Sequence, residues 1–322
     1  MIVNLNFENS RLVKRIMLLV CMMSTKNGDY SRKVMSQLID RFHIIRSQPK
    51  FDDKIKQVIQ ELCNSISSEQ VFMEFASKLE IHWDLIFQQE LIERLTLVIA
   101  ASPQYKTLRD ILMGKVRPEY ASSKEELFFT LFKTWSTNPI STLTLCLLSR
   151  NYELAYRLVP RFTQIEMDTP KLIALGSLVQ LIESPGFIHL RIELTRQDQH
   201  SKYLMKTLQG ILMLLPLSKS FQSLKKRLQC INIAPFELGC EEEDAKFFGE
   251  RHDLQGQMSM QNCLEIFDSK QEQVSDYMIQ KLQEEQQRRE EQTMKPRFQG
   301  GSNQSANMSM NMQNMTNPNM TQ

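Results

Sequence analysis

Cysteine, histidine and methionine are the side chains here best suited to metal or redox chemistry, so their spacing is weighed first. The six cysteines, Cys21, Cys63, Cys146, Cys230, Cys240 and Cys263, form no CxxC pair and no regular disulfide spacing. Most fall in apolar helical patterns, which predicts free buried thiols in a reducing compartment. Cys230, Cys240, His252 and Cys263 could in principle hold zinc, but the gaps are irregular and long for a tetrahedral site. His43, His82, His189 and His200 are scattered and approach no ligand spacing. Met308, Met310, Met312 and Met315 offer thioethers that Cu(I) accepts, although a tail biased toward asparagine and methionine explains them more simply. The sequons at Asn303, Asn307, Asn314 and Asn319 carry weight only behind a secretory signal. No Gly-rich phosphate loop or GxSxG elbow is present, and the Ser, Asp and Glu residues form no recognisable catalytic arrangement. The expectation is a chain with no catalytic, cofactor-binding or metal site.

What remains is recognition by large side chains. Trp135 shares a helical stripe with Phe128 and Phe132, a pattern that serves core packing or a partner anchor. Tyr152 and Tyr156 have amphipathic tips suited to a helix-pair edge or an interface. Asn138 reads as a helix cap. Lys225–Lys226–Arg227 could meet anionic lipid, but three charges on one helix are usually a solvated face.

The elements that must position these residues are helical throughout. Only 10 glycines and 11 prolines occur in 322 residues, and most sit between periodic segments. A hydrophobic fraction of 42% and a charged fraction of 24% are ordinary for a soluble protein. A net charge of +2 gives no nucleic-acid footprint. The segment Tyr203–Leu217 carries the strongest signal. Leu204, Leu208, Ile211, Leu212 and Leu215 form one stripe, and Met205, Met213 and Leu214 widen it. Lys206, Thr207 and Gln209 mark its polar side, so the expected helix is buried on most of its circumference. Pro216 ends it, and an antiparallel helix with Phe221, Leu224, Leu228 and Ile231 inward follows from Ser218.

Upstream, stripes recur with short breaks: Val34–Ile45, Ile55–Ile66, Phe72–Leu79, Phe87–Val98, Leu108–Leu112, Leu127–Trp135, Ile140–Leu147, Tyr152–Val159, Leu172–Ile182 and Phe187–Leu194. Ser67 with Gln70 has capping-box spacing, as do Ser122 with Glu125 and Ser123 with Glu126. Asn138–Pro139, Thr169–Pro170 and Ser184–Pro185 each predict a side-chain cap followed by proline at the first helical position. No alternating strand pattern is convincing. The pattern predicts an all-α fold of HEAT/armadillo-like stacked helical pairs, an α-solenoid, although the internal repeat is weak. Residues 1–233 form the helical repeat domain, 234–256 a linker with the acidic run Glu241–Asp244, 257–292 a C-terminal helix and 293–322 a tail. From Gly300 the tail holds no charge and no aromatic residue, which predicts disorder. Arg11, Lys14 and Arg15 before Ile16–Met23 resemble a signal peptide, but the apolar positions fit a helix stripe, so a cytosolic chain is expected.

Several blocks are similar to the C-terminal region of the vacuolar scaffold family known as Vac-fourteen. They are Leu127–Leu148 (LFFTLFKTWSTNPISTLTLCLL) with Asn151–Tyr156 (NYELAY), Leu178–Arg191 (LVQLIESPGFIHLR), and Tyr203–Leu204 with Gly210–Pro216 (GILMLLP), continuing through Ser220–Phe221 to Arg227–Leu228. Trp135 with Asn138–Pro139, and the LLP ending, are not generic solenoid residues. The resemblance implies HEAT-type helices without catalysis of their own. It also implies a scaffold that holds a PIKfyve-class lipid kinase making phosphatidylinositol 3,5-bisphosphate and a Sac-domain phosphatase removing the same phosphate. Its C-terminal region is the part associated with self-association and with the phosphatase. The place implied is peripheral, on the cytosolic face of endosome and vacuole membranes. Residues matched to that region, and so expected at partner or self-association surfaces, are Trp135, Asn138, Pro139, Asn151, Tyr152, Tyr156, Phe187, Tyr203, Leu215, Pro216 and Phe221. The rival expectation is an α-solenoid trafficking adaptor that shares only the fold.

Overall fold

A computed structural model describes residues 28–115, 121–196, 198–230 and 260–294, together with Arg15. The linker at 234–256, the tail beyond 294, the segment Ile16–Met23, and the metal and sequon candidates Cys240, His252, Met308–Met315 and Asn303–Asn319 lie outside them. Every regular element among the described residues is helical. In order these are α1 (Gly28–Ile45), α2 (Phe51–Ser65), α3 (Ser68–Leu79), α4 (Leu85–Ala101), α5 (Lys106–Leu112), α6 (Ala121–Trp135), α7 (Pro139–Leu148), α8 (Tyr152–Leu158), α9 (Thr169–Ile182), α10 (Ile188–Glu193), α11 (Gln199–Leu214), α12 (Lys219–Gln229) and α13 (Met260–Met294). Short 3₁₀ turns at Pro103–Tyr105, Val159–Gln164 and Pro185–Phe187 join some of them.

Side-chain caps start six of these helices by accepting from backbone N–H groups left without an intrahelical partner. Ser67 accepts from Gln70, Asp84 from Ile86 and Phe87, Asn138 from Ser141, Asp198 from Ser201, and Ser218 from Phe221. The Asn138–Pro139 device stands as the sequence predicts. At Thr169–Pro170 the cap is instead Asp168, whose Oδ1 accepts from Lys171 N at 3.0 Å, one residue earlier, with Pro170 inside the first turn. Carboxylate is the stronger acceptor for these donors, and it wins the position. Ser184 opens a 3₁₀ turn with no side-chain cap bond, because the chain there bends tightly onto α4. A Cβ at Gly186 would lie 2.2 Å from the Ala100 carbonyl oxygen, so only glycine allows that approach. The side chains of the capping-box candidates Ser122 and Ser123 are outside the described set.

The helices stack as neighbouring pairs, each packing on elements near it in the chain: α1 on α3, α3 on α6, α4 on α7, α7 on α8 and α9, α9 on α12, and α11 on both α8 and α12. That nearest-neighbour pattern is the α-solenoid architecture. One continuous core runs from Val34 to Phe267. Three threonines inside it are satisfied by backbone carbonyls: Thr134 Oγ1 donates to Ala76 O (3.0 Å), Thr142 Oγ1 to Trp135 O (2.6 Å) and Thr144 Oγ1 to Ile140 O (2.7 Å). Another tight seam joins α11 to the turn after α8, where a Cβ on Gly210 would lie 2.5 Å from Val159 Cγ1.

The chain divides into two compact units, Met1–Val274 and Ser275–Gln322. The first turns of α13 belong to the first unit. Cys263, Leu264 and Phe267 are buried there, with Phe267 stacked on Phe162 at 6.4 Å. Asp268 pairs with Arg161 at 2.8 Å, and Gln271 Nε2 donates to Ser136 O at 2.6 Å. In the second unit the described part of α13, up to Met294, is polar apart from a row of exposed residues, Met278, Ile279 and Leu282.

The α11 expectation needs correction on two residues. Leu204, Met205, Leu208, Ile211 and Leu215 are buried, as the stripe requires, and Leu212 is half-buried. Thr207, assigned to the polar side, is fully buried, and its hydroxyl donates to Tyr203 O at 2.8 Å, which removes the cost of burying it. Met213, expected to be covered, is 86% exposed, so the apolar stripe of α11 is wider than the surface that its neighbours cover.

Candidate partner-binding surface

The eleven candidate residues separate into a buried set and a surface set. Trp135 is fully buried, and its Nε1–H donates to Thr96 Oγ1 at 2.7 Å, which ties α6 to α4. Asn138 caps α7 and donates from Nδ2 to Gln89 O at 3.3 Å, and Pro139 is buried behind it. Asn151 follows Arg150, which holds a left-handed backbone (φ 66°), and its Nδ2 donates to Ser149 Oγ at 3.1 Å. Tyr152 is buried, and that burial pushes its phenol up to about 12, partly opposed by the nearby Arg150 cation. Arg150 pairs with buried Glu193 at 2.7 Å, linking the α7–α8 turn to α10. Phe187 is buried against His189 (ring centroids 5.8 Å), and burial holds His189 below its usual range. Leu215 is buried below the α11–α12 turn. The five buried side chains, Trp135, Pro139, Tyr152, Phe187 and Leu215, with the Asn138 cap and half-buried Asn151, hold helices together and offer little to a partner.

Tyr156, Tyr203, Pro216 and Phe221 reach the surface, and they lie on adjoining elements. Tyr156 on α8 faces Tyr203 on α11 at 5.8 Å, with Lys206 Nζ 5.3 Å above the Tyr156 ring. At the other end of α11 the chain turns through exposed Pro216 into α12, where Lys225 Nζ sits 5.9 Å over the Phe221 ring. Sequence reasoning missed the two most exposed apolar residues of this corner, Met213 (86%) and Leu217 (89%). Their types announce nothing, since a leucine or methionine beside a proline turn is equally at home in a core. Ile173, 65% exposed, is on α9, which Ser220 Oγ fastens to α12 by donating to Gly176 O at 3.2 Å.

Cations follow the corner along α12. Lys219, Lys225 and Lys226 are exposed, whereas Arg227 is engaged by Glu183 through both guanidinium and carboxylate pairs. Apolar side chains exposed together beside these cations suit a partner that is apolar at its centre and acidic at its edge. No cluster of three or more His, Cys, Asp or Glu residues able to hold a metal occurs among the described residues. Cys230 is exposed at the end of α12 and Cys263 is buried in α13. Among the described residues no single helix is long and apolar enough to cross a membrane.

A second constellation joins two histidines that are 39 positions apart in the chain. His43 at the end of α1 and His82 before α4 lie 5.5 Å apart beside buried Asp84. Asp84 accepts from Arg46 Nη1 (2.9 Å), pairs with His43 Nε2 (3.0 Å) and caps α4. Burial holds His82 below its usual range, opposed in part by the negative charge of Asp84, and its Nδ1 accepts the Asp84 backbone N–H at 3.2 Å.

The family described as "Vacuolar protein 14 C-terminal Fig4p binding" matches residues 48–231, a stretch that contains every surface residue of the α11–α12 corner. The chain is 32% identical over 229 residues to the "Vacuole morphology and inheritance protein 14" of Saccharomyces cerevisiae, covering 71% of this chain and 25% of that protein. It is 40% identical over 173 residues to the "Protein VAC14 homolog" of Schizosaccharomyces pombe, covering 54% and 21%. It is 30% identical over 183 residues to the homologue of the same name in Arabidopsis thaliana, covering 56% and 24%. The chain thus spans about a quarter of the length of these relatives. No solved structure matches it.

Proposed function

From the premise that this chain belongs to the vacuolar protein 14 family, in its C-terminal Fig4p-binding region, we propose that it is a non-catalytic scaffold for a Sac-domain phosphoinositide phosphatase. Through the phosphatase it acts in the turnover of phosphatidylinositol 3,5-bisphosphate. The observation that carries the reading is the α11–α12 corner. Met213 and Leu217 stand almost fully exposed beside Pro216, Phe221 and three lysines, within the region matched to phosphatase binding. A monomer in water gains nothing from that arrangement. A partner that covers it removes apolar surface from water at both residues.

A scaffold of this kind works through effective concentration. Holding the phosphatase beside a PIKfyve-class phosphatidylinositol 3-phosphate 5-kinase makes their encounter intramolecular, so synthesis and removal of one phosphate occur at one place. Self-association multiplies the copies at that place, and the exposed row Met278, Ile279 and Leu282 of the second unit supports it. The assembly is peripheral on the cytosolic face of vacuole and endosome membranes. Light scattering of the purified chain, alone and with the Sac-domain phosphatase, tests the reading. A homo-oligomer whose mass rises by whole phosphatase units is the expected result. A monomer whose mass is unchanged by the phosphatase would refute it.

A further inference from the structure

The first unit projects apolar side chains at a second place, far from the α11–α12 corner in sequence and built differently. The α1–α2 turn and the α3–α4 turn lie at one end of the helix stack, because His43 at the close of α1 touches His82, Trp83 and Asp84 before α4. Ile44 (65%), Ile81 (76%) and Trp83 (70%) are exposed on these adjoining segments. Exposures this high mark projecting side chains rather than the walls of a groove. The clefts lined by Glu93 and Leu181, and by Ser67 and Ser77, lie elsewhere.

The turn that carries Trp83 is held fixed. Asp84 is buried with all its work assigned: it takes the backbone N–H groups of Ile86 and Phe87, the Arg46 guanidinium and the His43 ring. Its own backbone N–H goes to His82 Nδ1 at 3.2 Å, and the His82 ring stacks on Trp83 at 5.6 Å and 21°. An indole held out in water by a fully bonded turn is pre-organised for something outside this unit.

The charges at this end decide what. Asp84 is matched by Arg46, Asp52 by Arg94 at 2.6 Å and Glu80 by Lys133 at 2.7 Å. Within one helical turn of these two loops, Lys50, Lys54 and Lys78 remain against Asp53. Projecting Trp and Ile tips with an excess of lysine match an anionic bilayer surface, where indole sits at the headgroup level, aliphatic tips enter the acyl boundary and lysines meet lipid phosphate. We infer that the α1–α2 and α3–α4 turns form a lipid-docking tip, with Ile81 and Trp83 inserting into the interface of an anionic membrane and Lys50 and Lys78 lying on its surface. The tip shares no residue with the surface proposed for the phosphatase, so the two readings succeed or fail separately.

The chain carries its own probe. It has only two tryptophans, and Trp135 is buried, so any change in emission on adding a membrane reports Trp83. The purified chain would be mixed with vesicles of phosphatidylcholine alone or with phosphatidylserine, then read by emission and co-sedimentation. The expected result is a blue shift and sedimentation with the anionic vesicles. Trp83→Ser with Ile81→Ser should weaken binding about tenfold or more with an unchanged melting curve, since both residues are exposed. Lys50→Gln and Lys78→Gln should each weaken it about fivefold. Unmoved emission, or undiminished sedimentation of the doubly substituted chain, would overturn the inference. So would a blue shift caused by the phosphatase and not by vesicles, which would give the tip to a protein partner.

Discussion

Gly210→Ala tests the packing at the centre of this account, because two effects of opposite sign meet there. Gly210 lies inside α11, where alanine is favoured over glycine by about 1 kcal/mol through helix propensity alone. Against this, the added Cβ would sit 2.5 Å from Val159 Cγ1 and 3.5 Å from Val159 Cβ. Ordinary carbon contacts begin near 3.5 Å, so α11 and the turn after α8 must part by about 1 Å. Val159 is β-branched and nine-tenths buried, with little freedom to rotate its methyl away. Overpacking of this kind costs about 1–3 kcal/mol, so the expected net change is destabilisation of about 1 kcal/mol or a little more. In a domain of this size that lowers Tm by roughly 2–4 °C. Val159→Ala removes the offending methyl, and the double variant should show a favourable coupling of about 1–2 kcal/mol in a double-mutant cycle read by urea unfolding. A Gly210→Ala chain that melts higher than the parent would refute the close approach of α8 and α11.

The same structure carries further expectations. Ile211→Asp should unfold the first unit, because it buries a charge without a partner, whereas Met213→Asp two residues later should leave the melting curve within about 0.5 kcal/mol of the parent. Circular dichroism of the pair checks this, and equal damage from both would mean that the exposed face of α11 has been misassigned. Phe267→Ala removes the ring stacked on Phe162 and should cost about 3–5 kcal/mol of local stability. Release of the first turns of α13 would then show as rapid proteolysis near Cys263, and a cleavage pattern like that of the parent would contradict their docking. The phenols of Tyr105 and Tyr152 are both raised to about 12, chiefly by burial. The fold therefore keeps protons that the unfolded chain loses near pH 10, and stability should fall as pH rises from about 10 to 12, by up to about 3 kcal/mol per tyrosine. Thermal melts across that range check it, and a flat profile would show that these hydroxyls are solvated.

The fold was legible because nearly every helix writes its own period and several write their own start. Asn138–Pro139 and Ser67 cap where their types and spacing say they should. Thr169 fails because Asp168 sits one position ahead and accepts better. Periodicity marks which side of α11 is apolar, but it does not count the neighbours available to cover that side. Hence Met213 and Leu217 came out exposed and Thr207 buried. The family-matched aromatic residues were readable as a set, yet their division was not. Trp135, Tyr152 and Phe187 serve the core, while Tyr156, Tyr203 and Phe221 reach the surface, and only the packing of α8, α11 and α12 separates them. The Trp83 tip was invisible for a similar reason. His43 and Asp84 are 41 positions apart, and the order of four helices brings them together.

The most direct measurement is the affinity of the Sac-domain phosphatase for the parent chain and for a Met213→Asp, Leu217→Asp variant, by titration calorimetry with melting curves alongside. Two apolar side chains of this size contribute about 1.5–3 kcal/mol each when covered. The account predicts that the variant folds as the parent does and binds the phosphatase at least about a hundredfold more weakly. A variant that binds as tightly as the parent would contradict it and move the phosphatase to another face.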